Sequence, residues 1–254
     1  MRGRRAPPCR YGCLVPLVAA AVCPHPPLIV PELAGAAAPE LDGLRAACDA
    51  AIADLMDSGA HRIVVVGDGP ESRTYHSPYR GSLARWGVDI EVSFGAGRPG
   101  YRPAPLPLSL TVGAWLLCRH PTGPSAVARM HAVATEADPA VAATLCAGHG
   151  SDADWGLLVM GDGSACRGPK SPGYDDPRAE AYDDGVARAL ADADAEALLG
   201  LDPALSAELK VAGRAPWQVL AGAARAAGGD WRGELRHYGA PYGVAYVVAS
   251  WERA

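Results

Sequence analysis

An α/β fold, in one domain with a mixed, mostly parallel central sheet covered by helices on both faces, is the reading that three features of the sequence support. Short apolar runs rich in β-branched residues alternate with helical stripes along the chain, which is how strands are returned to a parallel sheet. Two of those runs close alike, Val64-Val65-Val66-Gly67-Asp68-Gly69 and Leu157 to Met160 followed by Gly161-Asp162-Gly163. At 254 residues and 49% hydrophobic content, the chain is long enough to bury a large single core.

Taken in order, residues 14–22 read as a first core strand leaving through Cys23-Pro24-His25-Pro26-Pro27. From 39 to 58, Leu41, Leu44, Cys48, Ile52 and Leu55 recur at threes and fours, one stripe of a helix that Gly59 ends. Residues 62–66 form a strand buried on both faces. Strand, helix and strand thus make one parallel pair. A short strand is expected at 88–93. The Gly- and Pro-rich stretch 95–107 is expected as a long loop. Helices are expected at 108–117 and across the alanine-rich 125–147, and a strand at 157–160. Asp176-Pro177 and Asp202-Pro203 each pair a capping carboxylate with a proline at the first helical position, so helices start there and run to about 192 and 211. A further helix follows Pro216 over 217–226, and 244–249 is a closing core strand.

Composition narrows the function classes. A net charge of −5 and a pI near 5.8 leave no basic excess to neutralise phosphates, so nucleic acid is excluded as a partner. With 20% charged residues and mean hydropathy of +0.02 the chain is neither disordered nor a polytopic membrane protein. Seven cysteines, an odd number ending at Cys166, read as reduced thiols of a cytoplasmic protein. Cys9 with Cys13, and Cys146 with His149, lack the second matching pair that a structural zinc site needs. The start MRGRRAPPCRYGC with LVPLVAAAV imitates a signal peptide. Its apolar run contains Pro16 and is far short of the ~20 residues of a membrane helix. The reading is a flexible arm at 1–12 ahead of a domain at 13–254, with lipoprotein-type cleavage at Cys23 as the alternative.

In open α/β sheets ligands bind where strands end. Convergence of those ends would surround one point with His25, Asp68 and Asp162, an imidazole and two carboxylates suited to a divalent metal or to acid/base work. Prolines on both sides preset the direction of His25. The two aspartates are also ordinary turn residues, able to accept neighbouring backbone N–H groups. His76 lies in a polar loop that could fold over the sheet edge. Ser164 lacks a Gly-x-Ser-x-Gly elbow, which argues against a serine hydrolase. Cys166, beside Arg167 and near Lys170, is a candidate nucleophile without a partner histidine in the sequence.

The segments PHPPLIVPE at 24–32, MGDGSACRGPKSPGYDDPRAEAYDDGV at 160–186 and YGAPYGVAYVVA at 238–249 together resemble the class III extradiol ring-cleaving dioxygenases, the LigB-type catalytic subunits, and within them an uncharacterised bacterial branch. The resemblance spans most of the chain from residue 14 onward. It implies iron(II) held by two histidines and a glutamate, with a third histidine as acid/base. Carried over by position, the first ligand falls on His25. The second falls where this chain has Gly67-Asp68-Gly69, the acid/base histidine on Ala165 and the glutamate on Gly239. One of four positions keeps the family's chemistry.

The expectation is therefore a superfamily member whose iron site is largely lost, with a small-molecule pocket at the strand ends. His25 and Asp162 would do its chemistry, and Ser164 and Tyr242 would contact substrate. Two alternatives stand beside it. One is an active dioxygenase with iron or another divalent metal on His25, Asp68 and His76. The other is a non-catalytic interaction protein. The expected partners are a small molecule, aromatic if the resemblance carries over, and a second copy of the chain in a homodimer, with no membrane.

Overall fold

Runs such as Arg62–Gly69 become central strands because their alternate side chains can all be buried once helices cover both faces of a sheet. In a computed structural model, which describes residues 17–97, 102–135 and 154–254, the strands are β1 (Leu17–Cys23), β2 (Arg62–Gly69), β3 (Arg73–Tyr75), β4 (Tyr79–Ser82), β5 (Glu91–Phe94), β6 (Val127–Ala134), β7 (Trp155–Met160), β8 (Trp231–Gly239) and β9 (Tyr246–Arg253). The described helices are α1 (Pro31–Ala34), α2 (Asp42–Asp57), α3 (Leu108–Cys118), α4 (Gly123–Ala126), α5 (Arg178–Ala191), α6 (Ala195–Leu199), α7 (Pro203–Glu208) and α8 (Arg214–Ala227).

Seven strands make one sheet in the order β3-β6-β2-β7-β1-β9-β8, while β4 and β5 pair apart from it. The inner four, β6, β2, β7 and β1, are mutually parallel, and β3, β9 and β8 join antiparallel. This is the single mixed, mostly parallel α/β domain that the alternation of elements predicts.

Two apolar layers sandwich the sheet. On one face Ile52 and Leu55 of α2 and Leu110 of α3 pack with Ala21, Val65 and Leu158. On the other, Val186 of α5 and Leu220 of α8 pack with Val22, Val66 and Leu157. Alternating residues of each strand thus go to opposite layers. Trp251 is fully buried, and its Nε1 donates to the Leu190 carbonyl at 2.7 Å, fastening β9 to α5. Asp202 caps α7 as expected, its carboxylate accepting the Ala204 and Leu205 amides.

Several expectations need correction. In the segment 125–147 the helix α4 ends at Ala126, and Val127–Ala134 is β6, paired with β2 and β3, because sheet pairing and burial on both sides override the helix propensity of alanine. β1 and β2 are parallel but not neighbours, since β7 lies between them. The strand expected at 88–93 begins at Glu91 and belongs to the small sheet. β8 escaped notice because an edge strand carries charged residues, here Arg232, Glu234 and Arg236, where a central strand is apolar. The arm at 1–12, the pairs Cys9/Cys13 and Cys146/His149, and the remainder of 125–147 lie outside the described residues. Cys23, Cys48, Cys118 and Cys166 are free thiols. No helix among the described residues is long and apolar enough to cross a membrane.

Candidate functional site

Register brings the predicted residues together. Cys23 of β1 and Gly67 of β2 both stand level with Met160 of the intervening β7. His25, Asp68 and Asp162 follow these three by two, one and two residues, so they emerge at one level of the sheet. The Gly161 amide donates to the Cys23 carbonyl at 3.0 Å and extends the pairing up to the site.

His25 sits between the two carboxylates. Its Nε2 is 3.0 Å from Asp68 Oδ1, and its Nδ1 is 3.8 Å from Asp162 Oδ1, too far for a hydrogen bond. Its backbone N–H donates to Asp162 Oδ1 at 2.7 Å, so Asp162 anchors the Pro24-His25-Pro26 segment as well as facing the ring. The imidazole is almost fully buried and Asp68 is the more open partner, with 27% of its side chain exposed. Burial, the strongest influence on the ring, disfavours its charge. The nearby charges of Asp162 and Asp68, with the hydrogen bond to Asp68, outweigh burial and raise the His25 pKa to about 9. Burial likewise raises the Asp162 carboxyl, against the pull of His25. At neutral pH the His25 ring is thus an imidazolium, seated between the two aspartates.

A hollow of about 340 Å³ opens beside this group, lined by His25, Asp68 and Gly69 and, across from them, by Pro107, Leu108 and Ser109 at the start of α3. Gly67 makes that approach possible. A Cβ there would stand 2.5 Å from Ser109 Oγ and 2.8 Å from its Cβ, so only glycine lets α3 seat on the end of β2. Ser109 Oγ then donates to the Asp68 carbonyl at 2.5 Å.

The other predicted residues lie elsewhere. Ser164 is fully buried, and its N–H and Oγ both donate to the Asp183 carboxylate, at 2.8 and 2.5 Å, so it has no free group for a substrate. Tyr242 does not line the hollow; its hydroxyl donates to Glu40 at 2.8 Å. His76 is exposed beyond β3 and lines a different hollow with Arg73 and Tyr75, so it does not join His25 and Asp68. Cys166 is buried, and burial raises its thiol pKa against the opposing charge of Lys210. This is the reverse of an activated nucleophile.

Two features went unforeseen. Asp183, on α5, is a buried carboxylate that holds the turn after β7 through Ser164, two residues from Asp162. Nothing in Tyr182-Asp183-Asp184 marks one of its acids as buried. The second is the place of the α3 start: a helix from 108 was expected and is found, but its position over Asp68 was not legible.

Among the described residues no three of His, Cys, Asp and Glu form a group able to hold a metal ion. Nε2 of His25 is engaged by Asp68, and among the described residues no second imidazole lines the hollow. The described residues therefore do not fit the two-histidine, one-carboxylate iron site that the resemblance implies. Compared with known proteins, the chain matches no family model, and no curated protein matches it.

Proposed function

We propose that this protein is a LigB-like member of the class III extradiol dioxygenase superfamily that binds a small molecule in the strand-end hollow and handles protons there rather than cleaving rings on iron. The observation that carries this reading is the buried His25 held between Asp68 and Asp162 at the wall of the hollow. An imidazolium so placed keeps a proton at Nε2 on the hydrogen bond to Asp68, the partly open member. A ligand hydroxyl or ammonium that donates to Asp68 weakens that bond and lets the pair give or take a proton. Asp162, anchoring the backbone and offsetting the ring's charge, is a positioning residue. The resemblance supports the placement, since its first ligand position is His25.

Anaerobic purification followed by elemental analysis and a catechol panel tests the proposal. The expected result is no stoichiometric iron and no coloured ring-cleavage product, with His25 ring signals in NMR that titrate near pH 9 and respond to small molecules in wild type but not in Asp68→Asn. Iron-dependent opening of catechols by the wild-type protein overturns it.

A further inference from the structure

β8 closes one end of the seven-stranded sheet, and among the described residues no strand pairs with its outer edge. The Ala254 amide donates to the Asp230 carbonyl at 2.9 Å, and the pairs Arg232 with Glu252 and Glu234 with Ser250 continue that register. In an antiparallel ladder the N–H and C=O of one residue point the same way, and successive residues alternate. Asp230, Arg232 and Glu234 therefore spend their backbone groups on β9, while Trp231, Gly233 and Leu235 turn theirs outward. The irregularity between Leu235 and His237 ends this regular stretch.

The side chains sort by the same alternation. Arg232 and Glu234 share one face of the strand. Arg232 lies 3.1 Å from Glu252, and Glu234 lies 3.1 Å from Arg236, yet they stay 75% and 60% exposed. Trp231, Gly233 and Leu235 share the other face. Trp231 is fixed there, its Nε1 donating to the Ala224 carbonyl at 3.2 Å and its ring tilted against Trp251. Leu235 is a large apolar side chain left 38% exposed. Gly233 brings no side chain to the middle of the stretch, because a Cβ there would stand 2.5 Å from the Leu190 carbonyl oxygen.

We infer that β8 pairs with β8 of a second copy of this chain, antiparallel and centred on Gly233, so that two sheets become one across a twofold axis. The inference is independent of what the hollow binds, since β9 stands between β8 and the strand that leads to His25. The charges choose the register. Outward-facing residues must oppose outward-facing residues, so the centre falls on a residue and not between two. Centred on Arg232, the strands set two guanidinium groups against each other, and centred on Glu234, two carboxylates. Centred on Trp231 they overlap by little of the strand, and centred on Leu235 they run into the irregularity. Centred on Gly233, Arg232 opposes Glu234 of the second copy and Trp231 opposes its Leu235, each contact occurring twice by symmetry. Glu252, Arg232, and then Glu234 and Arg236 of the second copy make a row of alternating sign. Each outward-facing pair exchanges two backbone hydrogen bonds. Charged side chains ordinarily keep an edge strand from pairing, but here they are complementary to their own copy.

Sedimentation equilibrium of the full chain over a range of concentrations, with two charge variants, tests the inference. Wild type is expected to form a reversible dimer, and the amides of Trp231, Gly233 and Leu235 to exchange with deuterium more slowly as the concentration rises. Glu234→Arg opposes arginine to arginine, and Arg232→Glu opposes glutamate to glutamate. Each is expected to weaken self-association about tenfold, because two attractive pairs become two repulsive ones. Mixed in equal amounts, the two variants complement each other and are expected to recover the dimer. A monomeric wild type, or a wild-type dimer without slowed exchange at those three amides, overturns the inference. So does a dimer that neither variant weakens, or a mixture of the two variants, each folded by circular dichroism, that associates no better than either alone.

Discussion

Raising the pH is expected to strip stability from this protein through one side chain, His25, and the amount follows from its surroundings. An unfolded histidine titrates near 6.5, whereas the folded ring, held between Asp68 and Asp162, titrates near 9. The folded state therefore binds the proton more tightly. The stabilisation is fully present below pH 6.5 and is lost as the pH climbs through about 9. At 1.36 kcal/mol per tenfold change, the gap amounts to about 3 kcal/mol, a large fraction of the stability of an ordinary domain. His25→Gln isolates the effect. It keeps the backbone N–H that donates to Asp162 at 2.7 Å and removes the titrating ring. Urea unfolding of both proteins from about pH 6 to about pH 10, followed by circular dichroism, measures it. Wild type is expected to lose about 3 kcal/mol of its advantage over the variant across that range. An advantage that stays flat with pH would refute the reasoning, because it would mean that the ring is not held as a cation between the two acids.

Three further outcomes follow from the same contacts. Gly67→Ala forces a methyl group to within 2.8 Å of the Ser109 Cβ and is expected to cost about 1–3 kcal/mol in chemical denaturation, with the amide signals of the α3 start displaced. Asp183→Ala strands the buried N–H and hydroxyl of Ser164 and is expected to cost about 3 kcal/mol, whereas Ser164→Ala, which removes one donor and leaves the amide bond in place, costs less; thermal melts of the pair check the order. Brief alkylation of the native protein with peptide mapping is expected to label the exposed Cys118 and spare the buried Cys23, Cys48 and Cys166, and rapid labelling of Cys166 would contradict its raised thiol pKa.

Fold class and most core elements were legible from local pattern alone. Burial leaves a periodic trace in a chain, so the stripe Leu44, Cys48, Ile52 and Leu55 marked α2, and the run Ile63 to Val66 marked β2. The strand exits carrying His25, Asp68 and Asp162 were legible too, since glycine and proline punctuate turns whatever the rest of the fold does. What the sequence could not express was adjacency. Only the insertion of β7 between β1 and β2 brings the three exits to one level, and that depends on pairing between segments far apart in the chain, Cys23 with Met160 and Gly67 with Met160. β6 looked helical because alanine favours helices locally, and sheet contacts on both sides reversed the preference. The separation of Ser164, Tyr242 and His76 from the hollow, and the placing of α3's uncapped start across from Asp68, were likewise decided by packing. A side chain's type is a local fact, but its burial and its partner are properties of the assembled layers.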